Sequence, residues 1–338
     1  MARHTSDESW WEMRTRRLAR DVEVTELGFG AAQLGNLNRV TTDEVSTRAV
    51  DAAWDAGIRY FDTAPHYGLG LSERRLGAAL RGRPREEYVL STKVGRLLVD
   101  DPDGADRLDD EGFVVPATAR RRWDFSRDGV LRSLEGSLTR LGLDRVDVVY
   151  LHDPDDHWEQ AATTGVAALV ELRDQGVVRA IGAGMNQSAM LTRFVRECDV
   201  DVVMVAGRLS LLDRDAAAGL LPAAAERGVG VVAAGVYNSG LLARADVPDD
   251  ASFDYGPAAP ALVARARDLA RACAAAGLEL PDAAVRHPLR YDEVADVVVG
   301  MRTPEHVAAS VRRWSVHVDD ATWAALDALA LPTTRPGA

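Results

Sequence analysis

The stretch Val146-Asp147-Val148-Val149-Tyr150-Leu151-His152-Asp153 is a short, nearly continuous apolar run that ends in two reactive side chains. Continuous rather than alternating apolar residues mark a strand buried on both faces, as in a parallel sheet covered by helices. Seven more runs share this character: Leu27–Ala31, Arg59–Thr63, Tyr88–Val94, Ala180–Ala183, Val200–Val205, Val229–Ala234 and Val294–Gly300. Between them lie stretches with apolar residues at helical spacing, among them 44–55, 72–80, 130–141, 166–175, 220–227, 260–275 and 304–311. Thr42 or Asp43 and Ser126 stand where helix N-caps belong, and Gly57, Gly176, Gly228 and Gly277 where helices end. Eight strand-then-helix units without a gap predict an α/β fold, the (β/α)8 TIM barrel, with a doubly wound open sheet as the rival.

Three segments interrupt the repeat. Residues 15–25 alternate in polarity and predict a hairpin closing the bottom of the barrel, and 319–331 predict an extra C-terminal helix with Trp323, Leu326 and Leu329 on one face. The third is a long loop, Gly95 to Phe125, between the third strand and its helix. In a barrel such a loop emerges at the strand C-terminal face, where active sites are built. Its seven acids between Asp100 and Glu111 are expected to form a solvated surface. No composition break divides the chain, so residues 15–331 are expected to be one domain, with 1–14 a flexible N-terminal segment and 332–338 a tail.

A net charge of −12 argues against a nucleic-acid partner. No apolar run approaches the ~20 residues that span a bilayer, and the polar N-terminus lacks the apolar core of a signal peptide. Cys198 and Cys273 fit neither a disulfide framework nor a zinc pattern. A cytoplasmic protein with a small-molecule substrate, no membrane, no metal, and no motif bearing on oligomeric state is expected.

Chemistry should sit where reactive side chains fall at strand ends. Asp62 and, just beyond, His66 and Tyr67 follow the second strand, Lys93 ends the third, and His152 ends the fourth. Neighbouring strand ends lie side by side around a barrel mouth, so Asp62, Tyr67, Lys93 and His152 are expected to converge. A phenol with a pKa near ~10 is a poor acid or base at neutral pH, and an adjacent ammonium is expected to bring it towards the working range. Asp62 would hold that ammonium, and His152 would orient a carbonyl or hydroxyl. Of the 40 basic residues, 39 are arginine and one, Lys93, is lysine. A lone lysine in so arginine-biased a chain marks a place where a compact ammonium is needed and a planar fork is not accepted.

The segments FDTAPHYGLGLSERRLGAAL, LSTKVG and DVVYLHDPD, with GVYNSGLL at 235–242 and VVGMRTPEHVAASV at 298–311, resemble the aldo-keto reductase family over residues 15 to 315. The resemblance implies a (β/α)8 barrel, metal-free hydride transfer with NAD or NADP, and a catalytic tetrad of Asp62, Tyr67, Lys93 and His152, with Tyr67 as general acid or base. Softer features, STKVGRLL at 91–98, RRWDFS at 121–126 and AGRLSLLD at 206–213, resemble the L-fucose or D-threo-aldose 1-dehydrogenase and pyridoxal 4-dehydrogenase group. The implied reaction is oxidation of an aldose to a lactone, with a pyridoxal dehydrogenase or general aldehyde/ketone reductase as the nearer alternative and a nucleotide-sensing regulatory protein as the more distant one.

The same resemblance places the cofactor across the mouth. Asn238, Ser239, Gly240 and Leu241 would face the pyrophosphate, Asn186 or Gln187 the carboxamide, and Gly300, Arg302, Thr303, His306 and Ser310 the adenosine end. Arg302 is the one permanent cation at the matched 2′-phosphate positions, which favours NAD. His66, Trp123 and Tyr237 are expected to line the substrate site.

Overall fold

All eight apolar runs are strands in the computed structural model, which describes residues 13–330; most of the expected flexible segment 1–14, and all of the tail 332–338, lie outside the described residues. The strands are β1 (Leu27–Gly30), β2 (Tyr60–Asp62), β3 (Val89–Val94), β4 (Val148–His152), β5 (Ala180–Met185), β6 (Val202–Ala206), β7 (Gly230–Ala234) and β8 (Val294–Gly300). They form one closed barrel in chain order, with β8 returning in parallel to β1 through Val297↔Leu27 and Gly300↔Gly30. Closure excludes the open-sheet rival. β2, β3 and β4 are buried along their whole length, which is why their sequences lack alternation.

Two apolar layers hold the barrel. Tyr60, Val148, Tyr150, Val202, Met204 and Val232 fill its interior together with Leu18, Val22 and Val24 of the hairpin Thr15–Ala19/Val22–Thr25. That hairpin plugs the bottom: a Cβ on Gly230 would lie 1.8 Å from the Leu18 carbonyl oxygen. The second layer lies between strands and helices. Ser126 caps the helix Arg127–Leu141 by accepting from Gly129 N, and Gly228 ends the helix Asp215–Arg227 at φ 67°, a conformation that costs glycine little. The C-terminal helix spans Asp320–Asp327 and buries Trp323 and Leu326 against the helix Pro260–Ala275. No helix among the described residues is long and apolar enough to cross a membrane.

The long segment after β3 is not a loose loop. Arg96–Asp100 pairs antiparallel with Ala119–Trp123 in a continuous five-residue register, and isolated bridges join Leu37 to Phe113 and Leu108 to Pro116. Nor is its acidic run wholly solvated. The Asp109 carboxylate is buried on Arg121, and Glu111 lies 3.8 Å from Arg96. The sequence Ala-Arg-Arg-Arg-Trp has no apolar alternation to announce a strand, because both its faces carry ion pairs or aromatic stacking.

The helix Leu71–Leu80 underlies the site and crosses Arg127–Leu141 so closely that a Cβ on Gly77 would lie 1.9 Å from the Leu141 carbonyl oxygen. Alanine gains about 1 kcal/mol of helix propensity over glycine, but the backbones must separate to admit it, and overpacking of this kind costs about 1–3 kcal/mol. Gly77→Ala is therefore expected to lower unfolding stability in urea. A stabilised variant would show that the two helices do not meet in this way.

Candidate active site

Strand register brings the reactive side chains together. Asp62 ends β2 opposite Ser91, and Lys93 lies opposite Tyr150 on β4, two residues before His152. Tyr67 follows in a turn closed by its own N–H to the Ala64 carbonyl. The Lys93 ammonium gives its three N–H groups to three acceptors: Asp62 Oδ2 at 2.6 Å, the Thr63 carbonyl at 3.0 Å and the Tyr67 hydroxyl at 3.2 Å. Ser91 donates to Asp62 Oδ1 at 2.7 Å, and Tyr60 donates to Ser91 at 3.0 Å. With that proton engaged, Tyr150 must donate to Tyr60 across their 3.1 Å contact. The chain Tyr150–Tyr60–Ser91–Asp62 thus fixes the carboxylate from inside the barrel. The His152 ring stands 6.0 Å from that of Tyr67, edge on.

Charge states follow from burial and neighbours. Burial opposes the Lys93 charge, but the Asp62 charge, the Tyr67 oxygen and the hydrogen bonds to both outweigh it and hold the ammonium at about 12. Burial raises the Tyr67 phenol to about 12, with the Lys93 charge pulling the other way. The expected downward shift is therefore not present. Lys93 limits a rise that burial dominates, and Tyr67 is a protonated acid at neutral pH. His152 is depressed well below its ordinary value by burial, then by Arg96 and Lys93, and His66 is lowered to about 2 by burial and the same cations with Arg121. Both imidazoles are neutral. The arrangement can exchange a proton with an oxygen placed between a phenol and a neutral imidazole.

A second polar layer covers this one. Arg96, at the start of the hairpin, donates to Asp153 and, at 3.3 Å, to His66 Nδ1, and its guanidinium lies 4.4 Å from the centroid of Trp123. Arg121 donates to the His66 carbonyl at 2.9 Å, and Phe113 packs edge-on against His66. Trp123, 39% exposed, stacks on Phe125 at the rim. Tyr237 is set between two packed clusters. Its hydroxyl is buried, its ring packs with both the barrel and C-terminal clusters, and Arg313 stands 5.9 Å away. Tyr237 follows β7 in the turn that carries Asn238 and is half-buried.

Residues 26–331 match the aldo/keto reductase family model. A D-threo-aldose 1-dehydrogenase from Pseudomonas sp. is 46% identical, covering 93% of this chain and 97% of its own. A pyridoxal 4-dehydrogenase from Microbacterium luteolum is 37% identical over 90% and 93%. An aldo-keto reductase from Bacillus halodurans, solved in its holo form, superposes with a TM-score of 0.76 at 27% identity over 94% and 97%. The chain belongs to the aldo/keto reductase family. As an aldo/keto reductase it is an oxidoreductase that works on a small molecule with NAD(P).

This aldo/keto reductase presents its cofactor-side residues unevenly. Asn238 is buried, accepting from Ser210 at 2.5 Å and donating to the Gly207 carbonyl at 2.9 Å, so its side chain ties the loops after β6 and β7 together. The N–H groups of Asn238, Gly240 and Leu241 are engaged within the turn, and the Leu241 side chain is in the C-terminal core. Ser239 and Gly240 remain exposed. Asn186 is half-buried, and Gln187 is exposed beside Asp155, to which it hydrogen-bonds. Gly300 ends β8 against Gln33. Thr303 caps the helix Pro304–Ser315 by accepting from His306 N, and Ser310 is buried. Arg302 donates to the Leu37 and Arg39 carbonyls and to the Thr41 hydroxyl. Its guanidinium thus braces the loop after β1.

The structure adds further charged residues around the site. Arg39, exposed on the loop after β1, is close enough to depress both Arg302 and His306 after burial has done so. Arg96 and Asp153 depend on the hairpin, and an Arg208–Asp254 ion pair at 2.7 Å joins the loop after β6 to the segment after β7. Only adjacency hinted at the first pair: Arg96 is three residues from Lys93, and Asp153 one from His152.

Two measurements check the electrostatics. Lys93→Arg is expected to lower kcat by about 100-fold or more, because a planar fork cannot meet three acceptors grouped around one nitrogen; wild-type turnover would contradict the three-acceptor geometry. Both imidazoles have depressed pKa values and stay neutral as pH rises from 5 to 8, so NMR should show no charge change at His66 or His152 over that range. A midpoint near the ordinary ~6.5 at either would overturn their burial as described.

Proposed function

We propose that this aldo/keto reductase oxidises the anomeric carbon of a small aldose to a lactone. The observation that carries the proposal is the polar canopy of Arg96, Asp153 and His66 directly above the Tyr67–Lys93–Asp62 cluster, with Trp123 at its rim. A mouth built for simple hydrophobic aldehydes would be lined by apolar groups. The 46% identical relative, named for aldose oxidation, points the same way.

Bound NAD(P) supplies the acceptor for the C1 hydride. Tyr67 first gives its own proton to solvent and then, as the phenolate stabilised by the Lys93 ammonium at 3.2 Å, takes the anomeric hydroxyl proton. Neutral His152 orients the same oxygen by donating an N–H. In reduction the proton moves back from the Tyr67 hydroxyl, its resting state here. Asp62 keeps Lys93 charged throughout; removing one member of so buried a pair costs about 3–5 kcal/mol.

The exposed Ser239–Gly240 turn and the N-terminus of the helix Pro304–Ser315 suit the cofactor phosphates, with Asn186 or Gln187 beside the carboxamide and His306 and Ser310 towards the adenosine. NAD is the preferred form. A 2′-phosphate favours bidentate cationic partners, Gly300 has no side chain, His306 is pulled towards neutrality by burial, and Arg302 is engaged with three acceptors. Two unbridged cysteines, Cys198 and Cys273, fit a reducing cytoplasmic setting.

The test is turnover, followed by nicotinamide absorbance, of L-fucose, D-arabinose, L-galactose, pyridoxal and simple aldehydes with NAD and with NADP. Aldose oxidation should dominate, with kcat/KM for NAD above that for NADP. Turnover of pyridoxal alone would replace the aldose with that substrate, and an NADP preference would assign the 2′-phosphate to Arg39. Tyr67→Phe should lose about 10²–10⁴-fold in kcat while still binding cofactor. Retained turnover would remove Tyr67 from the proton step, and absence of turnover in the wild type would favour a nucleotide sensor.

A further inference from the structure

The tetrad handles the reacting oxygen, yet the layer above it has hydrogen-bonding capacity that the reaction does not use. Arg96 and Trp123 are register partners in the hairpin, so the guanidinium is laid over the indole and steered towards the strand ends. It donates to Asp153 Oδ2 and to His66 Nδ1, with Glu111 at 3.8 Å, while its Nε is buried without a hydrogen-bond partner. Asp153 follows His152 directly at φ 41°, a left-handed conformation uncommon for a non-glycine residue. This bend places Asp153 Oδ2 3.5 Å from His152 Nε2, beside the nitrogen that must meet the substrate oxygen. The Asp153 side chain is 26% exposed, so it is reachable from the mouth. Arg96 and His152 both lie against Oδ2, which leaves Oδ1 as an acceptor.

Resting on the aldose reading above, we propose that Asp153 and Arg96 form a hydroxyl-recognition subsite that selects substrates oxygenated at the carbon next to the reacting one. Vicinal oxygens sit about one hydrogen-bond length apart. An oxygen held at His152 Nε2 therefore brings its neighbour to Asp153, which accepts that hydroxyl's proton in a charge-assisted bond, while Arg96 donates to the next oxygen along. A substrate lacking the hydroxyl covers Asp153 Oδ1 without giving it a donor. Sites built around a hydroxyl reject the analogue that lacks it far more strongly than apolar pockets discriminate by size. Burial raises the Asp153 carboxyl to about 6, against the pull of Arg96, so it is mainly an anion at neutral pH.

Lactaldehyde and propanal differ only in that hydroxyl, and their reduction by the intact enzyme tests the subsite directly. Wild type is expected to favour lactaldehyde in kcat/KM by about 10-fold or more, the usual effect of a hydrogen bond to a charged group. Asp153→Ala should collapse this ratio towards one, chiefly through KM for lactaldehyde. Asp153→Asn, which keeps an acceptor without the charge, should restore an intermediate ratio, and Arg96→Gln should lower it. An indifferent wild type, or an equal loss on both aldehydes in Asp153→Ala, overturns the proposal and leaves Asp153 as a brace for Arg96. An intact hydroxyl preference in an enzyme that turns over no aldose supports the subsite and overturns the aldose reading. Aldose oxidation without that preference does the reverse.

Discussion

The Lys93 ammonium is the constraint on which the site depends. It is buried at the end of β3, and each of its three N–H groups has an acceptor on or just after β2. A buried ammonium without partners would lose its proton or destabilise the barrel by several kcal/mol. The register of β2 against β3, the turn that returns Tyr67, and the inward chain through Ser91, Tyr60 and Tyr150 all serve to keep these acceptors in place. Beneath them, Glu73 on the helix Leu71–Leu80 is fully buried between Thr92 and Arg140, locking the helix that follows Tyr67 to the strand that carries Lys93.

The same constraint explains the acid–base state of the tyrosine. Burial makes ionisation of the Tyr67 phenol unfavourable, and the neighbouring ammonium only partly offsets that. Proton transfer from substrate is therefore coupled to whatever else enters the site. An oxygen that donates strongly, held by a neutral His152 that does not compete for charge, is what such a phenol needs in oxidation. A site with a protonated histidine would hold three cations within one small volume, together with Lys93 and Arg96. The depressed imidazoles avoid that.

What the sequence made legible follows from what repeats in it. Each barrel strand is buried on both faces, so Val148–Tyr150 or Val202–Val205 announce themselves as apolar runs, and reactive residues at their ends inherit positions from the barrel's geometry. The convergence of Asp62 and Lys93 needs no more than that, and Tyr67 adds one short turn after β2. Arg96 and Asp153 are different. Their meeting depends on a hairpin whose strand Ala119–Trp123 carries three consecutive arginines, held by Asp109, by backbone and by stacking on Trp123 rather than by an apolar face. Arg302 looks functional by position, but its guanidinium is bound to the loop after β1. Periodicity carries no record of where a side chain leaves an irregular turn.

These two kinds of element divide the labour of the enzyme. Strand ends are fixed by ladders on both sides and by core packing on both faces, and small displacements there would break the lysine's contacts all at once. Proton transfer tolerates little misplacement, so it belongs on those ends. The hairpin segment meets the barrel's loops through a small apolar cluster of Leu69, Phe113 and Val115, through backbone hydrogen bonds to Asn36 and Asn38, and through Arg96 and Arg121, all outside the strand ladders. The subsite proposed for the substrate's other oxygens falls there. Arg96 joins the two, since it starts the hairpin three residues after Lys93 and reaches back to the residue after His152. A change of substrate in such a protein would therefore be expected in the hairpin and at Asp153, with the ammonium and its three acceptors left as they are.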